Sequence, residues 1–225
     1  MTELPIYDLI GLIWFVVLWA SYTWYADRYA RRTHSLRAVM HDYRYEWMQQ
    51  MLLRDNRVVD VNIIRNLLHG VAFFASATLL ILAGLLTILG STDKAIEIVR
   101  ALPFAAKTTL VQWELKLLVL CVIFVYAFFK FTWALRQFNY CSVLIGAAPA
   151  TADKAYARRA AEVSTNASKD FNYGLRAYYF SLAALAWFVS PWAFMAATTT
   201  VVAVLYLREY RSDALRTLSP SGPEQ

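Results

Sequence analysis

Four apolar stretches, each long enough to cross a bilayer, constrain this chain more than anything else it carries. The second, LLHGVAFFASATLLILAGLLTIL at 67–89, contains no Asp, Glu, Lys or Arg. A helix of roughly 20 apolar residues spans a hydrocarbon core of about 30 Å. The other three cover 6–25, 113–140 and 178–207. The third is charged only towards its ends, at Glu114, Lys116, Lys130 and Arg136, and the fourth is uncharged, with Pro191 inside it. A chain that is 59% hydrophobic and 17% charged does not have the composition of an ordinary soluble domain. The fold expected is all-α: a polytopic membrane helical bundle with about four transmembrane helices and additional cytoplasmic amphipathic helices. Residues 1–207 form a single transmembrane domain, with loops at 26–66 and 141–177, and 208–225 form a polar tail.

The first stretch is expected to persist as an anchor. MTELPIYDL carries Glu3 and Asp8 in place of a basic leader, and no small-residue cleavage site follows. Cys121 and Cys141 stand 20 residues apart, on the order of 30 Å along one helix and beyond disulfide reach. They read as packing residues, and no metal or cofactor pattern accompanies them.

Orientation follows from the cations. Lys and Arg number none before the first stretch, eight in the first loop, three in the second, five in the third and three in the tail. The positive-inside rule puts the first and third loops in the cytoplasm and the N-terminus outside. Four single crossings put the tail outside too, whereas a hairpin broken at Pro191 puts it inside. The net charge of +6 is mostly this topological arginine, which suits anionic lipid headgroups and not nucleic acid. The expected location is the bacterial inner membrane, multi-pass.

In the first loop, Leu36, Val39, Met40, Tyr43, Trp47 and Met51 recur at helical spacing, with Arg37, His41, Asp42 and Arg44 outside their arc. This segment packs on other cytoplasmic pieces or lies in the lipid interface. Asp60 is placed to cap the next helix. That helix carries Asn62, Arg65, Asn66, His69 and Ser76 along one face, a polar stripe that must meet protein or water. It serves either as a packing face or as a vestibule. The third loop, alanine-rich and polar, reads as one or two short helices.

The tripeptide FNY bounds that loop at both ends, as Phe138-Asn139-Tyr140 and Phe171-Asn172-Tyr173. Aromatic rings suit the headgroup level, and asparagine can serve backbone or cross-helix hydrogen bonds. The pair is expected to fix the depths of the flanking spans, with Asn139 touching Asn172. Lys130, Arg136, Asn139, Asp170, Asn172 and Arg176 form a candidate interfacial anchor or headgroup site.

FNYCSVLIGAAP, FNYGLRAYYFSLAALAWFVSPW, VAFFASATLLILAGLL and the early arginine-rich loop together resemble the domain of unknown function 599 family of bacterial and plant membrane proteins. The resemblance spans most of the chain. It implies an integral membrane protein of four or so spans and brings no catalytic residues.

An enzyme needs a nucleophile, an acid–base pair or a metal cluster in mutual reach, and the motifs that announce these are missing. Four spans are few to enclose a pore, so conduction of ions or small solutes requires an oligomer. Ala72 with Ser76, and Ala193 with Ala197, offer small residues for helix contact. The reading favoured is a non-catalytic, homo-oligomeric scaffold, accessory or lipid-interacting component. An oligomeric channel or transporter is the first alternative, and a lipid-headgroup enzyme using Asp170 with Arg176 the second.

Overall fold

The computed structural model describes residues 6–29, 35–91 and 109–219. Glu3, Arg31, Arg32, His34, the cations of the loop at 92–108 and the end of the tail lie outside them. Seven α-helices follow one another among the described residues: α1 (Ile6–Tyr29), α2 (Leu36–Leu52), α3 (Val58–Leu89), α4 (Leu110–Ala147), α5 (Lys154–Leu185), α6 (Pro191–Tyr210) and α7 (Asp213–Leu218). A 3-10 helix, Ala186–Phe188, joins α5 to α6. The fold is an all-α membrane bundle. Four helical stretches are long and apolar enough to cross a bilayer, Ile6–Arg28, Val58–Leu89, Leu110–Ala147 and Pro191–Leu218. Cys121 and Cys141 are free and buried, as packing residues are.

Two compact units emerge, and each long helix contributes to both. The first comprises Met1–Ala26, Ser76–Phe128 and Gly174–Leu205. Its core is aromatic. Phe15 of α1 meets Phe180 of α5 edge-on at 5.6 Å between ring centroids and Phe194 of α6 at 5.1 Å. Trp19 stacks on Phe180 at 4.9 Å, and Trp187 stacks on Phe194 at the same distance. Lipid tails are as apolar as these rings, so it is close contact, not exclusion of water, that joins helices here.

Phe15 thereby reveals how the last apolar stretch is folded. An unbroken helix would hold residues 180 and 194 roughly 21 Å apart, yet both rings touch the same phenylalanine. The stretch read as one span over 178–207 is therefore two helices folded back as a hairpin. Ser190 and Pro191 make the turn. The Ser190 hydroxyl accepts the Ala193 backbone N–H at 3.0 Å, the N-cap bond of α6. Pro191 takes the first helical position, where its missing N–H costs nothing.

The second unit comprises Asp27–Ala75, Phe129–Tyr173 and Tyr206–Gln225. Ser35 caps α2 by accepting the Ala38 N–H. At the other end of α2, Trp47 and Arg54 donate to Asp60 Oδ1 at 2.7 and 2.5 Å, closing α2 onto the first turn of α3. The segment between α4 and the second FNY cluster, expected as one or two short helices, belongs to the single 32-residue helix α5. Asp153 opens α5 by accepting the Tyr156 N–H. Its alanines explain the composition: Ala157, Ala160, Ala161 and Ala167 are fully buried, and small side chains let helix backbones approach. The Cys141 thiol reaches the Ala160 carbonyl across this contact. Arg57 donates to the Ile145 and Ala148 carbonyls, supplying a cation to the open C-terminal end of α4.

The tail also belongs to this unit. Arg37 in the first turn of α2 meets Glu209 at the end of α6, and the Tyr43 hydroxyl donates to the Leu218 carbonyl of α7. The tail thus lies against α2. The hairpin at Pro191 is the reason.

Candidate functional site

A cavity of about 500 Å³ opens in the second unit between α2 and α5. Each helix turns one polar stripe towards it. On α2 these are Arg37, His41 and Arg44, spaced four and three apart, so they share one face. On α5 the stripe is Arg158, Glu162, Thr165, Lys169 and Asn172, again at intervals of four and three. His41 Nδ1 lies 3.1 Å from the Thr165 hydroxyl and ties the two faces together.

A chain of charges runs along one wall. Glu209 carboxylate oxygen accepts the Arg37 backbone N–H at 3.2 Å and lies 3.7 Å from its Nε. Arg37 donates to Asp27 Oδ1 at 3.1 Å. The other Asp27 oxygen accepts the Tyr173 hydroxyl and lies 3.9 Å from Lys169. Both Lys130 and Lys169 stand over the Tyr173 ring, at 4.8 and 5.5 Å from its centroid. Lys130 then donates to Asp170 Oδ1 at 2.8 Å, and Gln137 to Oδ2 at 2.7 Å. The chain joins residues of α1, α2, α4, α5 and α6.

Arg44 stands apart from this network. It is half-buried, it lines the cavity, and it has no carboxylate partner among the described residues. Burial pulls its guanidinium below the ordinary arginine pKa, because removing a cation from water disfavours the charged form.

The residues expected to form sites fall into four groups. Lys130 and Asp170 are brought together, and Asn172 lines the cavity. Arg136 is exposed and donates to the Tyr140 hydroxyl one turn on, while Asn139 is exposed. Asn139 and Asn172, expected to touch, share no hydrogen bond among the described residues; the α4 amide that reaches Asp170 is that of Gln137. The reason is helical phase, since Gln137 lies two turns from Lys130 on the same face of α4. Arg176 belongs to the first unit, where its guanidinium stands over the Tyr22 ring at 5.1 Å. On α3, Arg65, Asn66, His69 and Ser76 are exposed and Asn62 is half-buried; none of them lines this cavity.

One cluster escaped the sequence reading altogether. In the first unit Asp8, Lys116 and Trp187 are all buried. Trp187 Nε1 donates to Asp8 Oδ1 at 2.5 Å, Lys116 Nζ lies 3.5 Å from the same oxygen, and Lys116 donates to the Trp187 carbonyl at 3.0 Å. Asp8, a carboxylate near the start of the first apolar stretch, is thus not left to solvent. Its burial is decided by the 3-10 helix, which sets Trp187 over it.

On α6 the hydroxyls of Thr198, Thr199 and Thr200 each donate to the carbonyl four residues earlier, and the Thr199 hydroxyl also accepts the Trp14 indole N–H at 3.3 Å.

With this geometry in view, the comparison with known families is specific. Residues 10–214 match the family described as protein of unknown function, DUF599. The chain belongs to that family. The match covers α1 from Ile10 onward, α2 to α6, the start of α7 and every residue of the cavity and the buried Lys116 cluster except Asp8. No curated protein and no solved structure matches the chain.

Proposed function

We propose that this family member is a non-catalytic, lipid-interacting component of the bacterial inner membrane, assembled as a homo-oligomer, with its N-terminus outside. The observation that carries the reading is the contact of the tail with α2, through Arg37 and Glu209 and through Tyr43 and Leu218. On this reading the three cations of the tail count on the same face of the membrane as the eight of the first loop and the four at 154–169 of the third, against three in the second loop. That asymmetry is stronger than four single crossings allow and favours this face as cytoplasmic. A surface of this charge draws anionic headgroups to it. Lys130 and Asp170, with Tyr173 between the lysines, serve on this reading as an anchor at headgroup depth. Oligomer formation is supported by α3, where His69 and Ser76 are exposed within an apolar stretch. Hydrocarbon cannot hydrogen-bond them, and a second copy can.

Two measurements test the reading. Ser219→Cys, in a Cys121→Ala, Cys141→Ala background, is expected to resist a membrane-impermeant maleimide in intact cells and to react in inverted vesicles. Labelling in intact cells removes the orientation. Native mass spectrometry from lipid nanodiscs is expected to return an oligomer with retained anionic lipid; a bare monomer removes both the assembly and the lipid role.

A further inference from the structure

The α2–α5 cavity presents a ligand preference of its own. Its lining carries four fixed cations, Arg37, Arg44, Arg158 and Lys169, and four acids, Asp27, Asp42, Glu162 and Glu209. Equal numbers conceal an unequal commitment. Asp27 is held by Arg37 and the Tyr173 hydroxyl, Glu209 by Arg37, and Glu162 by Arg158; Asp42 is exposed. On the cationic side only Arg37 is paired with two acids. Lys169 has one long contact of 3.9 Å with Asp27. Arg158 pairs with Glu162 on a surface where both are mostly exposed, an arrangement of little strength. Arg44 meets no acid among the described residues.

A half-buried guanidinium left without an anion is costly, and a fork of N–H donors matches the oxygens of a phosphate with two parallel bonds. Around it stand neutral donors and acceptors, Thr165, Asn166, Ser168 and Asn172, suited to the hydroxyls or ester oxygens of a phosphate-bearing polar group. The geometry points to a phosphate site in this cavity, with Arg44 as the residue that binds the phosphate oxygens and Arg158 and Lys169 as flanking cations. The phosphate is a lipid headgroup's or a soluble ester's; the lipid-interacting reading above favours the first, and the site itself requires neither.

The full-length protein is titrated with sn-glycerol 3-phosphate in neutral detergent, following thermal unfolding. In parallel its unfolding is compared in phosphatidylcholine nanodiscs with and without phosphatidylglycerol. A phosphate-bearing probe is expected to raise the Tm. Arg44→Gln is expected to weaken the response about tenfold or more, and Arg44→Lys to keep part of it, because a point charge lacks the fork. A response to the soluble ester assigns a free phosphate ligand, and a response confined to phosphatidylglycerol assigns a headgroup. Arg158→Gln, an exposed substitution that removes only the weak surface pair with Glu162, keeps the test decisive if the Arg44 variants do not fold: it too must weaken the response. Equal responses of wild type and variants, or no response to either probe, overturn the site. Anionic lipid retained in native mass spectra, together with thermal responses that do not depend on Arg44, would spare the lipid-interacting reading while removing this site; an Arg44-dependent response to the ester without retained lipid would do the reverse.

Discussion

Lys116 and Trp187 are bonded through the backbone of one and the side chain of the other: the Lys116 ammonium donates to the Trp187 carbonyl at 3.0 Å and stands 5.4 Å from the centre of its indole ring. The carbonyl belongs to the 3-10 helix at the tip of the α5–α6 hairpin, so a residue of α4 holds the turn. Asp8 of α1 completes the arrangement by accepting the indole N–H. Three segments distant in sequence are fastened around one buried ion pair.

Removing one partner of a buried pair leaves the other charged and unmatched, which costs about 3–5 kcal/mol. Lys116→Met is expected to lower stability by that order in detergent unfolding, and Asp8→Asn to do likewise. The double variant Asp8→Asn, Lys116→Met should recover most of the loss, since neither charge then remains. A double variant as unstable as the sum of the two singles would refute the pairing.

Gly11 offers a second test of the hairpin. A Cβ at this position would meet Phe194 Cδ1 at 3.2 Å. Phe194 is fully buried between Phe15 and Trp187 and has little room to retreat. Gly11→Ala is therefore expected to destabilise by about 1 kcal/mol, and Gly11→Leu by about 3 kcal/mol, the range of overpacked cores. Co-substitution of Phe194→Leu should relieve the larger effect. Were α6 the outer half of one long span, Gly11→Leu would be neutral.

Asp170 accepts two hydrogen bonds from α4, one from Lys130 and one from Gln137. Bonds to a charged group contribute about 1.5–3 kcal/mol each before partial exposure is discounted. Asp170→Ala is expected to cost about 2 kcal/mol, and Gln137→Leu about 1 kcal/mol, with clear coupling in the double variant because both act on one carboxylate. Additive losses would show that Gln137 and Asp170 stabilise the fold independently.

The Ser190 cap is a local device and its loss should be local. Ser190→Ala is expected to destabilise by about 1 kcal/mol, whereas Ser190→Asp should be nearly neutral, since aspartate caps as well as serine does. Hydrogen exchange should report the effect first at the Trp192 and Ala193 amides. Equal loss in both variants would mean the hydroxyl acts by some contact other than capping.

Much of this architecture was legible from residue order because the bilayer leaves so few options. Every backbone polar group in hydrocarbon must be satisfied within its own segment, so long uncharged runs such as 67–89 can only be helices. The helical stripe of Arg37, His41 and Arg44 was visible for a similar reason, as the polar remainder of an apolar arc on α2. What it faced was not, because the facing stripe lies on α5, more than a hundred residues away. Asn139 and Asn172 share a tripeptide, yet helical phase turns Gln137 towards Asp170 and leaves Asn139 outside.

Residue order by itself determined that the chain is a helical membrane protein, where its long apolar helices run and which loops carry its positive charge, since hydrophobic length and cation count act locally and need no partner. Only the tertiary structure decided that Ser190-Pro191 begins a new helix and not a kink, and that the tail returns to α2. A serine–proline pair permits either outcome. The choice is made by Phe15, which two rings share, and by Lys116, which holds the turn between them. Whether Asp8 is solvated or buried, and whether Arg44 meets an acid, were settled in the same way, by what the fold sets opposite each charge.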